Sequence, residues 1–235
     1  MLSFIVPAHN EAALIDATLH AVHGAAAALA LEYEIIVVAD ACSDDTAAIA
    51  SDAGAHVLQV EHRQIATTRN AGAAEAIGEA FVFIDADTLI DAPVLQAALA
   101  ELHSGAVGGG AGVRLLGVLS WYERWAENFF RHVFRLTRIA PGCFVFCTRP
   151  AFESAGGFDT RYYAGEDVAF SRALARQGRF VILHESVRTS ARKLRTFTAW
   201  EHLGLAVRFV FRGRRVLRSR EALALWYGER RQERP

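Results

Sequence analysis

Residues 81–91 read FVFIDADTLID. Four apolar residues, Phe81, Val82, Phe83 and Ile84, form a short unbroken run of the kind shown by a strand buried on both faces, and the run stops at Asp85-Ala86-Asp87. Such a strand delivers two carboxylates to its C-terminal edge, where open α/β sheets bind ligands. Carboxylates spaced i, i+2 on an extended segment point the same way. Hard divalent cations such as Mg²⁺ and Mn²⁺ take such oxygen ligands and complete their shell from water and substrate phosphates. A plainer reading stands beside this one: Asp85 or Asp87 ends a strand, or caps the helix that Asp91-Ala92-Pro93 opens.

Toward the N-terminus, Leu2 to Val6 is a short apolar strand ended by Pro7, and Asn10-Glu11 opens a helix with Ile15, Leu19 and Val22 at helical spacing. Glu34 to Ala39 forms a second strand closing on Asp40. Asp44-Asp45-Thr46 caps a helix that runs to Gly54, Val57 to Val60 is a third strand, and Ile65 to Ile77 is a helix ended by Gly78. Strands alternate with helices and each strand is apolar on both faces, so a doubly wound, mostly parallel sheet flanked by helices is expected. Three strands then end in polar residues at one edge: His9, Asn10 and Glu11; Asp40; Asp85 and Asp87.

Toward the C-terminus, the run GGGAG at 108–112 is not followed by a helix start with Lys or Ser and reads as a Gly-rich strand or crossing. Leu115 to Leu136 is amphipathic and aromatic, suited to packing on the sheet and also to forming an acceptor-binding surface. Cys143 to Cys147 is an apolar strand after Pro141-Gly142, a short helix covers Pro150 to Ala155, and Glu166-Asp167 begins another helix. Phe180 to Leu183 is a strand that leaves His184 at its end. The segment 195–235 holds ten Arg against four Glu, with Phe, Trp and Leu interleaved, the pattern of basic amphipathic helices suited to anionic membrane surfaces or to docking on an acidic partner face.

Composition narrows the classes. A chain of 235 residues with 52% hydrophobic content builds a substantial core. The net charge of −1 hides an asymmetry: residues 1–113 carry 2 basic residues (Arg63 and Arg69) against 15 acidic ones, and residues 114–235 carry 23 against 11, so the halves stand at −13 and +12. An acidic front suits cations and a basic back suits anions, or the halves neutralise each other across an interface. The acidic front opposes a nucleic-acid backbone. Three cysteines, Cys42, Cys143 and Cys147, make neither a disulfide framework nor a zinc site, so a reducing, cytoplasmic setting is expected. No signal peptide and no run of about 18 apolar residues is visible, which disfavours a transmembrane span. The absence of G-x-G-x-x-G after the first strand and of G-x-x-x-x-G-K-[ST] weakens dehydrogenase and P-loop readings.

Taken in order, FIVPAHNEA, VVADACSDDT, TRNAGAAEAIGEAFVFIDADT, PGCFVFCTRPAFESAGGFD and GEDVAFSRAL resemble the motifs of glycosyltransferase family 2 over roughly residues 2–190. The resemblance implies a GT-A (Rossmann-like) catalytic domain over 1–193, followed by a basic amphipathic helical extension over 194–235. It implies transfer of a sugar from a nucleotide diphosphate donor, UDP-sugar favoured, to an acceptor hydroxyl, with inversion and with Mn²⁺ or Mg²⁺.

By that resemblance Pro7, Ala8, Asn10 and Glu11 form the loop under the nucleotide, and Asp40 contacts base or ribose. Arg69 sits near the donor phosphates or base, with Asn70 holding its loop. Asp87 is a metal ligand, Asp85 contacts ribose or metal, and His184 completes the metal site in some relatives. Asp167 of Gly165-Glu166-Asp167 is the catalytic base, Glu166 lies beside it, and Gly156 and Gly157 admit acceptor or sugar. Arg188, Arg192 and Lys193 are candidates for a basic loop over the diphosphate. The chain departs from the usual Asp-Asp-Gly-Ser form at Ala39, Ala41 and Cys42, which bears on the choice of base. A lipid-linked acceptor and peripheral contact with the inner membrane face through the C-terminal helices are further expectations. The rivals are a sugar-phosphate nucleotidyltransferase and a non-catalytic nucleotide-sugar-binding protein.

Overall fold

The computed structural model describes residues 1–117 and 121–190. The helical extension expected over 194–235, with Arg192 and Lys193, lies outside the described residues. Elements run β1 (Leu2–Ala8), α1 (Ile15–Ala28), β2 (Tyr33–Asp40), α2 (Thr46–Asp52), β3 (His56–Val60), α3 (Ile65–Glu75), β4 (Ala80–Ile84), β5 (Thr88–Leu89), α4 (Ala92–His103), β6 (Gly108–Leu116), α5 (Trp121–Thr137), β7 (Phe144–Thr148), α6 (Arg149–Ala155), α7 (Glu166–Ala175) and β8 (Phe180–Ser190).

One sheet has the order β3-β2-β1-β4-β7-β6-β8-β5. Its acidic end is parallel as expected, β2 and β4 both pairing in parallel with β1 and β3 with β2. The other end departs from the doubly wound expectation. β7 runs antiparallel between β4 and β6, and β5 runs antiparallel to β8, so the sheet is mixed.

Side chains alternate between two cores, which is why the strands read as continuous apolar runs. Phe4, Val6, Val82 and Ile84 face α1, α2 and α4. Ile5, Phe81 and Phe83 face α3, α6 and α7, where Phe83 meets Phe158 edge-on at 4.9 Å. The Gly-rich stretch is strand β6. A Cβ on Gly109 would fall on the Val181 carbonyl of β8, so the strands pack where no side chain fits.

Two ends differ from expectation. Helix α1 begins at Ile15 rather than at Asn10-Glu11, because Asn10 takes a left-handed φ of 52° and Glu11 starts a turn whose carbonyl accepts from Leu14 and Ile15. β8 continues to Ser190 instead of stopping at Leu183; its register shifts opposite Gly110 and Gly112, which places His184 in a bulge inside the strand. Arg188, expected in a loop, is on that strand opposite Leu89. Among the described residues no helix is long and apolar enough to cross a membrane.

Candidate active site

Helix α3 organises the carboxyl edge of the sheet through three consecutive residues, Thr68, Arg69 and Asn70. The helix sits close because a Cβ on Gly72 would already lie 2.6 Å from Ile5.

Thr68 Oγ1 donates to Asp40 Oδ2 at 2.6 Å, and the Asp40 carboxylate also accepts from the backbone amides of Arg63 (2.8 Å) and Gln64 (3.3 Å). Asp40 therefore fastens the start of α3 to the end of β2. A carboxylate has about four acceptor sites, so capacity for a base or ribose donor remains.

Arg69 is 2% exposed although it is the largest polar side chain in the interior. Nη1 donates to Glu166 Oε1 at 2.8 Å, and Nη2 donates to Asp85 Oδ1 at 2.9 Å and to the Gly142 carbonyl at 2.8 Å. The guanidinium carbon lies 5.1 Å from the centroid of the Phe158 ring. Burial opposes its charge, yet Asp85, Glu166 and Asp167 hold its pKa above the usual arginine value. A planar fork matches this pair of carboxylates as an ammonium would not.

Asn70 completes the series. Its side chain donates to the Phe158 carbonyl at 2.8 Å and accepts from the Phe158 amide at 2.8 Å. A Cβ on Gly157 would sit 2.7 Å from Asn70 Oδ1, and Gly156 is the left-handed cap of α6 with φ 73°. Both glycines thus have a structural reason of their own, beside the acceptor access expected of them.

Asp85 and Asp87 follow β4. Neither caps α4; Asp91 does, accepting from the Val94 amide at 3.2 Å. Asp85 is turned into the Arg69 fork. Asp87 is 7% exposed and its Oδ1 accepts from Thr189 Oγ1 of β8 at 3.2 Å. Among the described residues no three His, Cys, Asp or Glu gather as a metal cage. His184, exposed in the β8 bulge, is accordingly not assembled with these aspartates. The donor set fits a hard cation that takes one or two carboxylates and draws its remaining ligands from diphosphate and water, the habit of Mg²⁺ and Mn²⁺.

Helix α7 begins at Gly165, left-handed at φ 74°, and carries Glu166 and Asp167 in its first turn, where carboxylates are favoured by the helix dipole. Asp167 Oδ1 accepts from the Val168 amide at 2.8 Å and Oδ2 from the Gly142 amide at 3.0 Å. Burial pushes Glu166 up to about 7, the Asp167 charge adding and Arg69 opposing. Burial likewise raises Asp167, against Arg69 and the two amides. Gly142 is the residue that sequence reading missed: a Cβ there would stand 3.1 Å from Asp167 Oδ2 and 3.3 Å from Arg69 Nη2. Its signal was the Pro141-Gly142 pair ahead of an apolar strand.

The loops after β1 and β2 form a second lattice. Asn10 Oδ1 accepts from the Ser43 amide at 2.7 Å, the Glu11 amide donates to Thr46 Oγ1 at 2.8 Å, and the Ala12 amide donates to Asp44 Oδ2 at 3.1 Å. Pro7 and Ala8 are the last residues of β1, beside Val38 and Ala39. The structure thus joins Asp85, Arg69 and Glu166 directly and Asp167 through Gly142, ties Asp87 to Thr189 of β8, and bonds Asp40 to Thr68, the helix residue next to Arg69.

Similarity to known proteins agrees with this fold. No curated protein matches the sequence. Among solved structures, residues 1–349 of TarS from S. aureus superpose with a TM-score of 0.64 at 17% identity, covering 82% of this chain and 61% of that one. TarS 1–349 in complex with UDP-GlcNAc gives 0.63 at 18%, covering 80% and 58%. The mannosyltransferase PcManGT from Pyrobaculum calidifontis, in complex with GDP-Man and Mn²⁺, gives 0.66 at 21%, covering 88% and 64%. The chain spans about three fifths of the length of these neighbours, which share its fold. The profile described as Glycosyl transferase family 2 matches residues 3–156, and with five motifs in order on this sheet the chain belongs to that family of glycosyltransferases.

Proposed function

We propose that the protein transfers a sugar from a nucleoside-diphosphate sugar, UDP-sugar foremost, to an acceptor hydroxyl, with inversion at the anomeric carbon and with assistance from Mn²⁺ or Mg²⁺. The observation that carries this reading is the Arg69 fork, which binds the strand-end aspartate Asp85 and the helix-start carboxylate Glu166 into one cluster next to Asp167.

Asp167 is the general base. The acceptor hydroxyl must lose its proton as it attacks, and a carboxylate whose pKa is raised by burial is a better proton acceptor near neutral pH than an exposed one. Attack from the face opposite the diphosphate inverts the centre. Asp87, with Asp85, would hold the cation. When bound, it would neutralise the charge that develops on the departing diphosphate. Asp40 receives base or ribose donors on the loop built by Pro7, Ala8, Asn10 and Glu11, as the resemblance implies. Neighbours of this fold hold UDP-GlcNAc in one case and GDP-Man with Mn²⁺ in another, so donor choice is part of the test. The acceptor is placed at a membrane surface on the cytoplasmic side, approached by the basic extension of 194–235.

A panel of nucleotide sugars with Mn²⁺ or Mg²⁺ tests the whole reading. Release of free nucleoside diphosphate is expected, stimulated by one of the cations. Release of pyrophosphate from nucleoside triphosphate and sugar phosphate would replace this reading with nucleotidyl transfer. Donor binding without turnover on any acceptor would replace it with a binding role.

A further inference from the structure

Helix α5 turns an aromatic row to solvent. Trp121, Trp125, Phe129 and Leu136 are 82%, 65%, 50% and 88% exposed, and Trp125 stacks on Phe129 with centroids 5.4 Å apart and planes 8° from parallel. At about 100° per residue these four and His132 fall within an arc of roughly 80°. Arg124, Arg131 and Arg135 lie along one border of that arc. Glu127, the one carboxylate among the described side chains of α5, accepts from the Leu115 amide of β6 at 2.9 Å. Arg135 donates to the His184 carbonyl of β8 at 2.9 Å, so the helix is fixed to the sheet at both of these points.

A solvent-facing row of indole and phenyl rings bordered by guanidinium groups matches the headgroup region of a bilayer, where aromatic rings sit at the acyl boundary and cations meet phosphate. Arg124 and Arg131 at its border favour an anionic surface over a neutral one. We infer that α5 is an interfacial docking surface for membranes containing anionic lipid, with Trp121, Trp125 and Phe129 entering the acyl boundary and Arg124 and Arg131 meeting lipid phosphates. The inference rests on the membrane-surface acceptor reading above for its purpose, while the docking itself requires no sugar transfer.

The test uses the full chain and vesicles of phosphatidylcholine with and without phosphatidylglycerol. In a W200F/W226F chain, Trp121 and Trp125 are the remaining indoles. Their emission should shift to the blue and be quenched by brominated acyl chains on vesicles containing phosphatidylglycerol. The W121S/W125S/F129S variant should lose vesicle affinity by at least about tenfold while hydrolysing nucleotide sugar without lipid at the wild-type rate. Undiminished binding by that variant, or emission that vesicles leave unquenched, overturns the inference. So does a wild-type dimer that the three substitutions dissociate, which would make a second copy the occupant. Vesicle binding by a chain that hydrolyses no nucleotide sugar supports the docking surface and counts against the proposed function alone.

Discussion

Replacing Arg69 with Met removes the charge around which the site is assembled while keeping an apolar stem of similar length. The side chain is 2% exposed and makes charge-assisted hydrogen bonds of 2.8 and 2.9 Å to Glu166 and Asp85, with a further bond of 2.8 Å to the Gly142 carbonyl. Deleting one partner of a buried ion pair leaves the others uncompensated and costs about 3–5 kcal/mol. For a protein of this size each kcal/mol moves the melting temperature by about 2–4 °C, so the midpoint should fall by roughly 6–20 °C. Arg69→Lys keeps the charge but loses the fork, and should recover part of the loss.

The diagnostic measurement is a double-mutant cycle by urea unfolding. Glu166→Gln removes a carboxylate that Arg69→Met strands, so the double variant should be more stable than the sum of the single changes requires, by about 1–3 kcal/mol. Additive effects, or an Arg69→Met protein within about 1 kcal/mol of wild type, would refute the clamp.

Glu166 gives a pH prediction. Its pKa is raised in the folded state from 4.5 to about 7, so the folded protein binds the proton more tightly than the unfolded chain. The stabilisation is complete below the unfolded value and is lost as pH rises through about 7, a decline of roughly 3 kcal/mol across that window. Unfolding at stepped pH should show the decline in wild type and a flatter profile in Glu166→Gln. Ala41 stands at φ 52° where a glycine is usual in the resembling motif. Ala41→Gly should therefore raise stability by about 0.5–1 kcal/mol, the relief of left-handed strain less the added freedom of the unfolded chain; a lower melting temperature would contradict this. Gly142→Ala inserts a methyl 3.1 Å from Asp167 Oδ2 and should lower transfer more than it lowers the melting temperature. Unimpaired transfer would show that this contact tolerates displacement.

The acidic half of the fold was legible because β1, β2 and β4 are buried on both faces and each ends in polar residues, so composition and position speak together. Strand direction was not legible at β7: a run such as Phe144–Thr148 has the same hydrophobicity read either way, and its antiparallel pairing with β4 and β6 is decided by tertiary packing. The length of β8 was hidden by its bulge, which breaks the two-residue period between Leu183 and Val187 and makes HESVRTS look like a polar loop. The resemblance marks Arg69 as a site residue near the donor, and the structure adds its ion pairs with Asp85 and Glu166. Its burial depends on carboxylates 16 and 97 residues away along the chain, and no local pattern encodes that distance. The helix-start pair Glu166-Asp167 was readable as chemistry, whereas the roles of Thr68, Thr189 and Gly142 emerged only once strands and helices were brought together.

Asp167 is the proposed proton acceptor. With the donor and cation that give turnover, single-turnover transfer and equilibrium donor binding should be measured side by side for wild type and Asp167→Asn, which keeps an oxygen for the Gly142 amide but cannot take a proton. Donor affinity should stay within about twofold while transfer falls by at least about 10²-fold. Transfer by Asp167→Asn at the wild-type rate would contradict the account.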